Sequence, residues 1–180
     1  MEYQNSYCIL QSAMIFEMKL MEYSCLQSCP KEELPTTNVA NERINIKKNS
    51  DMKSVPYDFN RVKMELPGAT SDAEAEAHAA SDYFNASRVE MPSLKQLIVS
   101  QSPAEGSVAE FWQLIWQERS PAVVMLTKTY ELIKVMSACY WPIFVDKKEE
   151  YGEFSVRMLV EESYAHYKVV KYDSTLISPI

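Results

Sequence analysis

Three apolar segments in the second half of the chain constrain its fold more than any other feature. They run Leu94 to Val99, Val108 to Glu118 and Ala122 to Thr127. The first and third are short apolar runs suited to buried strands, and the second places Phe111, Leu114 and Ile115 on one helical face. Strand, helix, strand is the pattern of an α/β unit. Trp112 and Trp116, four apart on the predicted helix, share a face of large buried area. Farther on, Phe154, Val156, Met158 and Val160 alternate with other residues, and His166 to Tyr172 repeats that period less clearly, which predicts antiparallel partners in one sheet. A chain of 180 residues that is 47% hydrophobic can bury the core of one such domain.

The first half is less regular. From Cys8 to Cys25 apolar residues recur at helical spacing (Ile9, Ala13, Phe16, Leu20, Tyr23), which predicts an amphipathic helix stopped by Pro30. Pro30 to Pro56 is polar and without a sustained period, so it reads as a long surface connection. Residues 67–81 (PGATSDAEAEAHAAS) open on a Pro-Gly breaker and contain no large apolar anchor, the composition of a flexible insertion. With three glycines the chain holds neither a dinucleotide fingerprint nor a phosphate-cradling P-loop.

Charge and composition exclude several function classes. A net charge of -7 repels nucleic acid phosphates and anionic lipid. Glu17 and Lys19 interrupt the apolar stretch Cys8 to Met21, and Glu2 stands where a signal peptide needs a basic start, so neither a membrane span nor an export signal is expected. Cys8, Cys25, Cys29 and Cys139 lack Cys-x-x-Cys spacing and read as reduced thiols, which predicts a cytoplasmic protein. His78 and His166 are too few for a zinc site, so no metal and no cofactor is expected. Glu149-Glu150 and Glu161-Glu162 read as solvated carboxylates because adjacent side chains diverge, and Lys147-Lys148 reads as a turn.

Seven segments carry a family resemblance, in order. Pro56-Tyr57-Asp58-Phe59-Asn60-Arg61-Val62 comes first, then Asp82-Tyr83-Phe84-Asn85-Ala86-Ser87 and Gln101-Ser102-Pro103. Phe111-Trp112-Gln113-Leu114-Ile115-Trp116, Val123-Val124-Met125-Leu126-Thr127, Tyr140-Trp141-Pro142 and Tyr151-Gly152-Glu153-Phe154 follow. Together they resemble the front portion of a classical protein tyrosine phosphatase domain, from about residue 14 to the C-terminus, with a weak extension into Glu22-Tyr23 and Asn38-Val39-Ala40-Asn41. The resemblance implies an α/β fold with a twisted mixed sheet flanked by helices, truncated before the catalytic loop. It also implies an N-terminal extension at 1–13 and an incomplete domain at 14–180. Most of the segments are structural in the family: an aspartate and arginine that tie loops together, and tryptophans that pack a helix onto the sheet.

Family catalysis uses a cysteine thiolate in a loop of backbone N–H groups, with an arginine after five intervening residues to clamp the phosphoryl oxygens. Six positions after Cys8, Cys25, Cys29 and Cys139 stand Met14, Lys31, Pro35 and Val145, and neither histidine precedes a cysteine. The general acid of the family is an aspartate after Trp-Pro, whereas Trp141-Pro142 is followed by Ile143. No catalytic residue is therefore assigned, and Cys139 reads as an unactivated structural thiol. The substrate-recognition loop is degenerate, with Asn49, Asp51 and Lys53 as its candidate residues. In the family, Lys-Asn-Arg-Tyr supplies a ring that stacks on phosphotyrosine, and an aspartate two residues later grips the substrate backbone. Here Asp51 takes the tyrosine position, where a carboxylate repels phosphate, and Lys53 takes the aspartate position, where it can donate but not accept.

The resemblance thus implies a tyrosine phosphatase family member whose given chain is catalytically incomplete. Two alternatives stand beside it: a non-catalytic interaction module, and part of a longer active phosphatase. The implied partners are proteins of tyrosine-phosphorylation signalling. The family strand leading into the cysteine loop lies beside strands matching Leu94 to Val99 and Val123 to Leu126, so its absence predicts exposed edges and self-association.

Overall fold

The computed structural model of the chain describes residues 3–11, 35–65, 81–91, 94–131 and 134–177. Its regular elements are β1 (Tyr3–Gln11), α1 (Asn38–Asn41), β2 (Arg61–Lys63), β3 (Tyr83–Met91), β4 (Leu94–Ser100), α2 (Val108–Gln117), β5 (Ala122–Met125), β6 (Tyr130–Glu131), β7 (Lys134–Val135), β8 (Lys148–Tyr151), β9 (Phe154–Ser163) and β10 (Tyr167–Leu176). They fall into two compact units, one from Met1–Glu33 with Ser102–Ile180 and the other from Leu34–Gln101.

The larger unit is built on a five-stranded mixed sheet in the order β5-β1-β10-β9-β8. β1 runs parallel to β5 and antiparallel to β10, and the β10–β9 and β9–β8 pairs are antiparallel. Alternation in the sequence becomes a buried face: Val156 and Met158 of β9 and Val170 and Tyr172 of β10 are fully covered. Helix α2 covers it with Phe111, Trp112, Leu114 and Ile115, all buried. Trp112 stacks on Tyr151 at 6.3 Å, meets Tyr172 edge-on at 6.2 Å, and donates its indole N–H to the Tyr140 carbonyl at 2.8 Å. Trp116 sits 6.0 Å from Phe154. The hairpin between β8 and β9 turns on Gly152, whose φ of +61° favours glycine and whose missing Cβ leaves room for Ala109, since a Cβ there would come within 2.9 Å of the Ala109 Cβ.

Helix α2 ends in a Schellman motif. The Arg119 amide bonds to the Trp116 carbonyl and the Ser120 amide to the Ile115 carbonyl, each at 3.0 Å. Arg119 itself takes the left-handed conformation, φ 49°, and Pro121 follows as a stop.

The smaller unit holds a three-stranded antiparallel sheet in the order β2-β3-β4. Its core includes Ala40, Val62, Tyr83, Phe84 and Ala86. The mixed α/β fold expected from the sequence is therefore present, with α2, β4, β5, β9 and β10 where the periodicity put them.

Several expectations need correction. Cys8 to Gln11 belongs to strand β1 and not to a helix, because pairing with β5 and β10 satisfies its backbone groups between strands, and tertiary pairing overrides a local helical period. The remainder of that predicted helix, residues 12–25, lies outside the described residues. The polar stretch before Pro56 contains helix α1 and a 3-10 turn at Ile46–Lys48, with Ala40 and Asn45 buried, so from Pro35 onward it is no simple surface connection. The predicted insertion also lies outside the described residues, except Ser81, whose hydroxyl donates to the Asn45 side-chain oxygen.

The apolar runs Leu94 to Val99 and Ala122 to Thr127 are not buried strands of one βαβ unit. β4 and β5 belong to different sheets, and each stands at an edge among the described residues. Val124 is 56% exposed and Leu126 70%. An edge strand leaves one row of backbone groups unpaired, and nothing among the described residues covers the face on which these side chains stand.

Candidate functional site

The loop after the 3-10 turn, residues 49–54, contains the three recognition residues expected from the sequence, and the smaller unit holds it from several sides. Asn45 and Asn49, one helical turn apart, start the scaffold. The fully buried Asn45 donates its side-chain amide to the Val39 carbonyl at 2.8 Å. Asn49 donates to the Asn45 carbonyl at 3.0 Å, and its Oδ1 accepts from the Tyr83 hydroxyl at 2.6 Å and from the Asn85 amide at 2.9 Å. Asn85 also donates to the Ser54 carbonyl at 3.0 Å, fixing the far end of the loop. Gln101 clamps the near end, donating to the Lys48 carbonyl at 2.6 Å and accepting from the Ser50 amide at 2.9 Å. Lys48 Nζ reaches the Tyr83 carbonyl at 3.1 Å.

These contacts explain locally why the matching segments lie where they do. Tyr83 and Asn85 come from β3 and Gln101 from the residue just after β4, and all converge on one loop. Burial pushes the Tyr83 phenol above its ordinary value, keeping it the donor that Asn49 needs. Behind the loop, the Asp58 carboxylate accepts from the Asn38 amide at 2.8 Å and the Val39 amide at 3.0 Å, closing the first turn of α1. The Thr36 hydroxyl, followed by the Val39 amide, holds the Asp58 carboxyl below its ordinary value. Arg61, largely buried, pairs with Asp82 at 2.9 Å.

The tip of the loop differs from its base. Asp51 turns its carboxylate onto the Lys53 amide at 2.9 Å, a local Asx-type turn, and both residues are exposed. Asn49 is thus a buttress, while Asp51 and Lys53 stand at the surface. The tip offers a carboxylate and an ammonium and no aromatic platform. Chemically it can make polar surface contacts but cannot stack on a phenyl phosphate.

Cys139 is exposed, with its thiol 3.3 Å from the Trp141 carbonyl, and desolvation pushes that thiol up, reinforced by the charge of Glu149. The sequence reads Cys139 as a structural thiol, and its exposure was not legible there. The acidic pairs diverge as expected: Glu161 goes to Lys168 at 2.6 Å, and Glu162 accepts from the Tyr164 hydroxyl at 2.6 Å. Glu149 accepts from Tyr151 at 2.8 Å, whose phenol is pushed up by burial and by that bond. His166 precedes β10, and His78 lies outside the described residues. No group of three or more metal-ligating side chains is present among the described residues, and no helix there is long and apolar enough to cross a membrane.

Residues 45–176 match the family model of the protein-tyrosine phosphatase, a span that includes both the loop and its buttresses. The chain belongs to the protein-tyrosine phosphatase family. It is 33% identical over 133 residues to the tyrosine phosphatase-like protein J1 of Microplitis demolitor bracovirus, covering 73% of this chain and 41% of that one. A tyrosine-protein phosphatase Lar-like of Caenorhabditis elegans is 38% identical over 136 residues, 74% of this chain and 6% of that one. The non-receptor type 2 tyrosine-protein phosphatase of Rattus norvegicus is 35% identical over 117 residues, 63% of this chain and 25% of that one. The chain therefore spans less than half the length of each of these phosphatase relatives.

Sequence reasoning missed Asn45, Ser81 and the clamping role of Gln101. The one local signal was the spacing of Asn45 and Asn49 by four, which brings their polar groups together once the turn forms. The remaining partners are far apart in sequence and meet only in the fold.

Proposed function

We propose that this chain is a phosphatase-family protein that does not itself hydrolyse phosphotyrosine. The observation that carries the reading is the spacing of its cysteines: none of the four is followed six positions later by arginine. Without that pair there is neither a thiolate to attack phosphorus nor a bidentate clamp for the phosphoryl oxygens. The recognition loop supports the same reading, because its base is tied down while Asp51 and Lys53 occupy positions where the family carries tyrosine and aspartate. A cytoplasmic setting among proteins of tyrosine-phosphorylation signalling belongs to this reading, as does one phosphatase-like domain over residues 14–180, to whose sheet the extension at 1–13 adds strand β1 between β5 and β10.

The test is a turnover assay of the purified chain on a phosphotyrosine peptide and on an aryl phosphate. No turnover above buffer is expected. Vanadate-sensitive turnover that survives repurification and the substitution Cys139→Ser would overturn the reading.

A second reading, self-association through a sheet edge, is favoured by β5. The strand pairs on one side only among the described residues, and Val124 and Leu126 on it and just after it are exposed. An open strand edge with apolar side chains is a template for another chain. Light scattering after size exclusion should give a mass above one chain, and Val124→Lys should return it to a single-chain mass. A wild-type monomer across the micromolar range would contradict this reading.

A further inference from the structure

The tip of the β9–β10 hairpin plays no part in the recognition loop, yet it concentrates unusual features. Tyr164 opens a three-residue turn that ends at His166, Tyr167 follows it, and a bond from the Tyr164 amide to the Tyr167 carbonyl at 2.8 Å closes it. The two tyrosine rings stack at 4.7 Å with 18° between planes, and Tyr164 is 50% exposed. Its hydroxyl donates to Glu162 at 2.6 Å, and Glu161 stands one residue farther upstream. Side chains at a hairpin tip open locally at low cost, because few contacts hold them.

We propose that Tyr164 is a phosphorylation site for a tyrosine kinase that selects acidic residues upstream of its target. In the step, the Tyr164 phenolic oxygen attacks the γ-phosphorus of ATP, the bond to the β-γ bridging oxygen breaks to release ADP, and the phenolic proton passes to the kinase. Two comparisons on the same chain single out this residue. Tyr130 is more exposed, at 64%, but has Lys128 and Thr129 upstream, a cation where an acid-selecting cleft needs carboxylates. Tyr167 is 41% exposed and has Ala165 and His166 upstream. Among these three exposed tyrosines, Tyr164 alone combines accessibility with two carboxylates close upstream, Glu162 and Glu161 at the second and third positions before it.

Phosphorylation would also reverse the local electrostatics. The hydroxyl that donates to Glu162 is lost, and a phosphate of about -1.5 to -2 charge takes its place against that carboxylate. Repulsion then drives Tyr164 away from Glu162 and off Tyr167, loosening the turn. The bound proton is held firmly in the unmodified state, since the bond to Glu162, and secondarily its charge, raise the Tyr164 phenol.

The experiment incubates the full chain with ATP and either of two recombinant tyrosine kinase domains, one selective for acidic upstream residues and one indifferent to them. Phosphate is mapped by peptide mass spectrometry over time. With the acid-selective kinase, Tyr164 should be labelled about tenfold faster than Tyr130 or Tyr167, and Glu161→Gln with Glu162→Gln should slow it by about the same factor. The indifferent kinase should label Tyr164 in both forms at similar rates, which separates loss of recognition from loss of fold. Amide exchange at Tyr164 and Tyr167 should quicken in the phosphorylated chain. Labelling that begins at Tyr130 or Tyr167, absence of phosphate on Tyr164, or an unchanged rate in the glutamine variant would overturn the proposal.

Discussion

The two compact units reach order by different physical means. In the larger one, the aromatic residues Trp112, Tyr140, Phe154 and Tyr172 and the aliphatic residues Leu114, Ile115, Val156 and Val170 form the buried core of α2 and the five-stranded sheet. In the smaller one, Asn45, Asn49, Asn85 and Gln101 hold the 49–54 loop through directional bonds to backbone carbonyls and to one another. Apolar packing tolerates any side chain of suitable shape, whereas the amide scaffold demands particular donors and acceptors at fixed distances. The scaffold and the loop tip can therefore diverge independently. On the proposed reading, the loop keeps its base while Asp51 and Lys53 at its tip offer no recognition chemistry for phosphotyrosine.

The largest expected effect is in the apolar unit. Trp112→Ala removes the central ring and the indole bond to Tyr140, and core truncations of this size cost about 3–5 kcal/mol. Denaturant unfolding should show a large fall in midpoint, and a loss below about 1 kcal/mol would mean that α2 does not anchor on the sheet.

In the polar unit, Asn49→Ala leaves the Tyr83 hydroxyl and the Asn85 amide without their shared acceptor, at about 1–3 kcal/mol for each stranded group. Asp51→Ala at the exposed tip should stay within about 0.5 kcal/mol of wild type. Equal effects from the two substitutions would erase the distinction between base and tip.

Smaller effects sharpen the comparison. Arg119→Gly at the left-handed C-terminus of α2 should raise stability by up to about 1 kcal/mol, since glycine meets no Cβ penalty at positive φ. A fall in melting temperature would show that the arginine side chain matters more than its backbone. For Asp58, the folded-state carboxyl lies below the ordinary value of 3.8, so its contribution is fully present above that value and is lost as pH falls through the folded value. Asp58→Asn should flatten the decline of stability below about pH 4. An unchanged acid slope would remove Asp58 from the scaffold.

Period and spacing made the larger unit legible. Phe111, Trp112, Leu114 and Ile115 fall on one helical face, and the alternation from Phe154 onward states which side of β9 is covered. Strand β1 was misread because Ile9, Ala13 and Phe16 fit a helical period and only pairing with β5 and β10 decides otherwise. The exposure of Val124 and Leu126 was likewise hidden, since an apolar run does not announce whether its strand has two neighbours. In the smaller unit, substitutions at Asp51 and Lys53 could be read from the resemblance, but the buttressing of Asn49 by Tyr83 and Asn85 could not. Those partners lie more than thirty residues away, at separations of 34 and 36, and only the folded sheet brings them together.

The most direct test of a retained scaffold without recognition chemistry is calorimetric titration of a phosphotyrosine peptide into the wild-type chain and into the double variant Asp51→Tyr, Lys53→Asp. Neither should bind with micromolar affinity, because a restored ring at the loop tip still has no arginine clamp for the phosphate. Micromolar binding by the wild-type chain would contradict the account outright, and micromolar binding by the double variant alone would reveal an anion site elsewhere on the molecule.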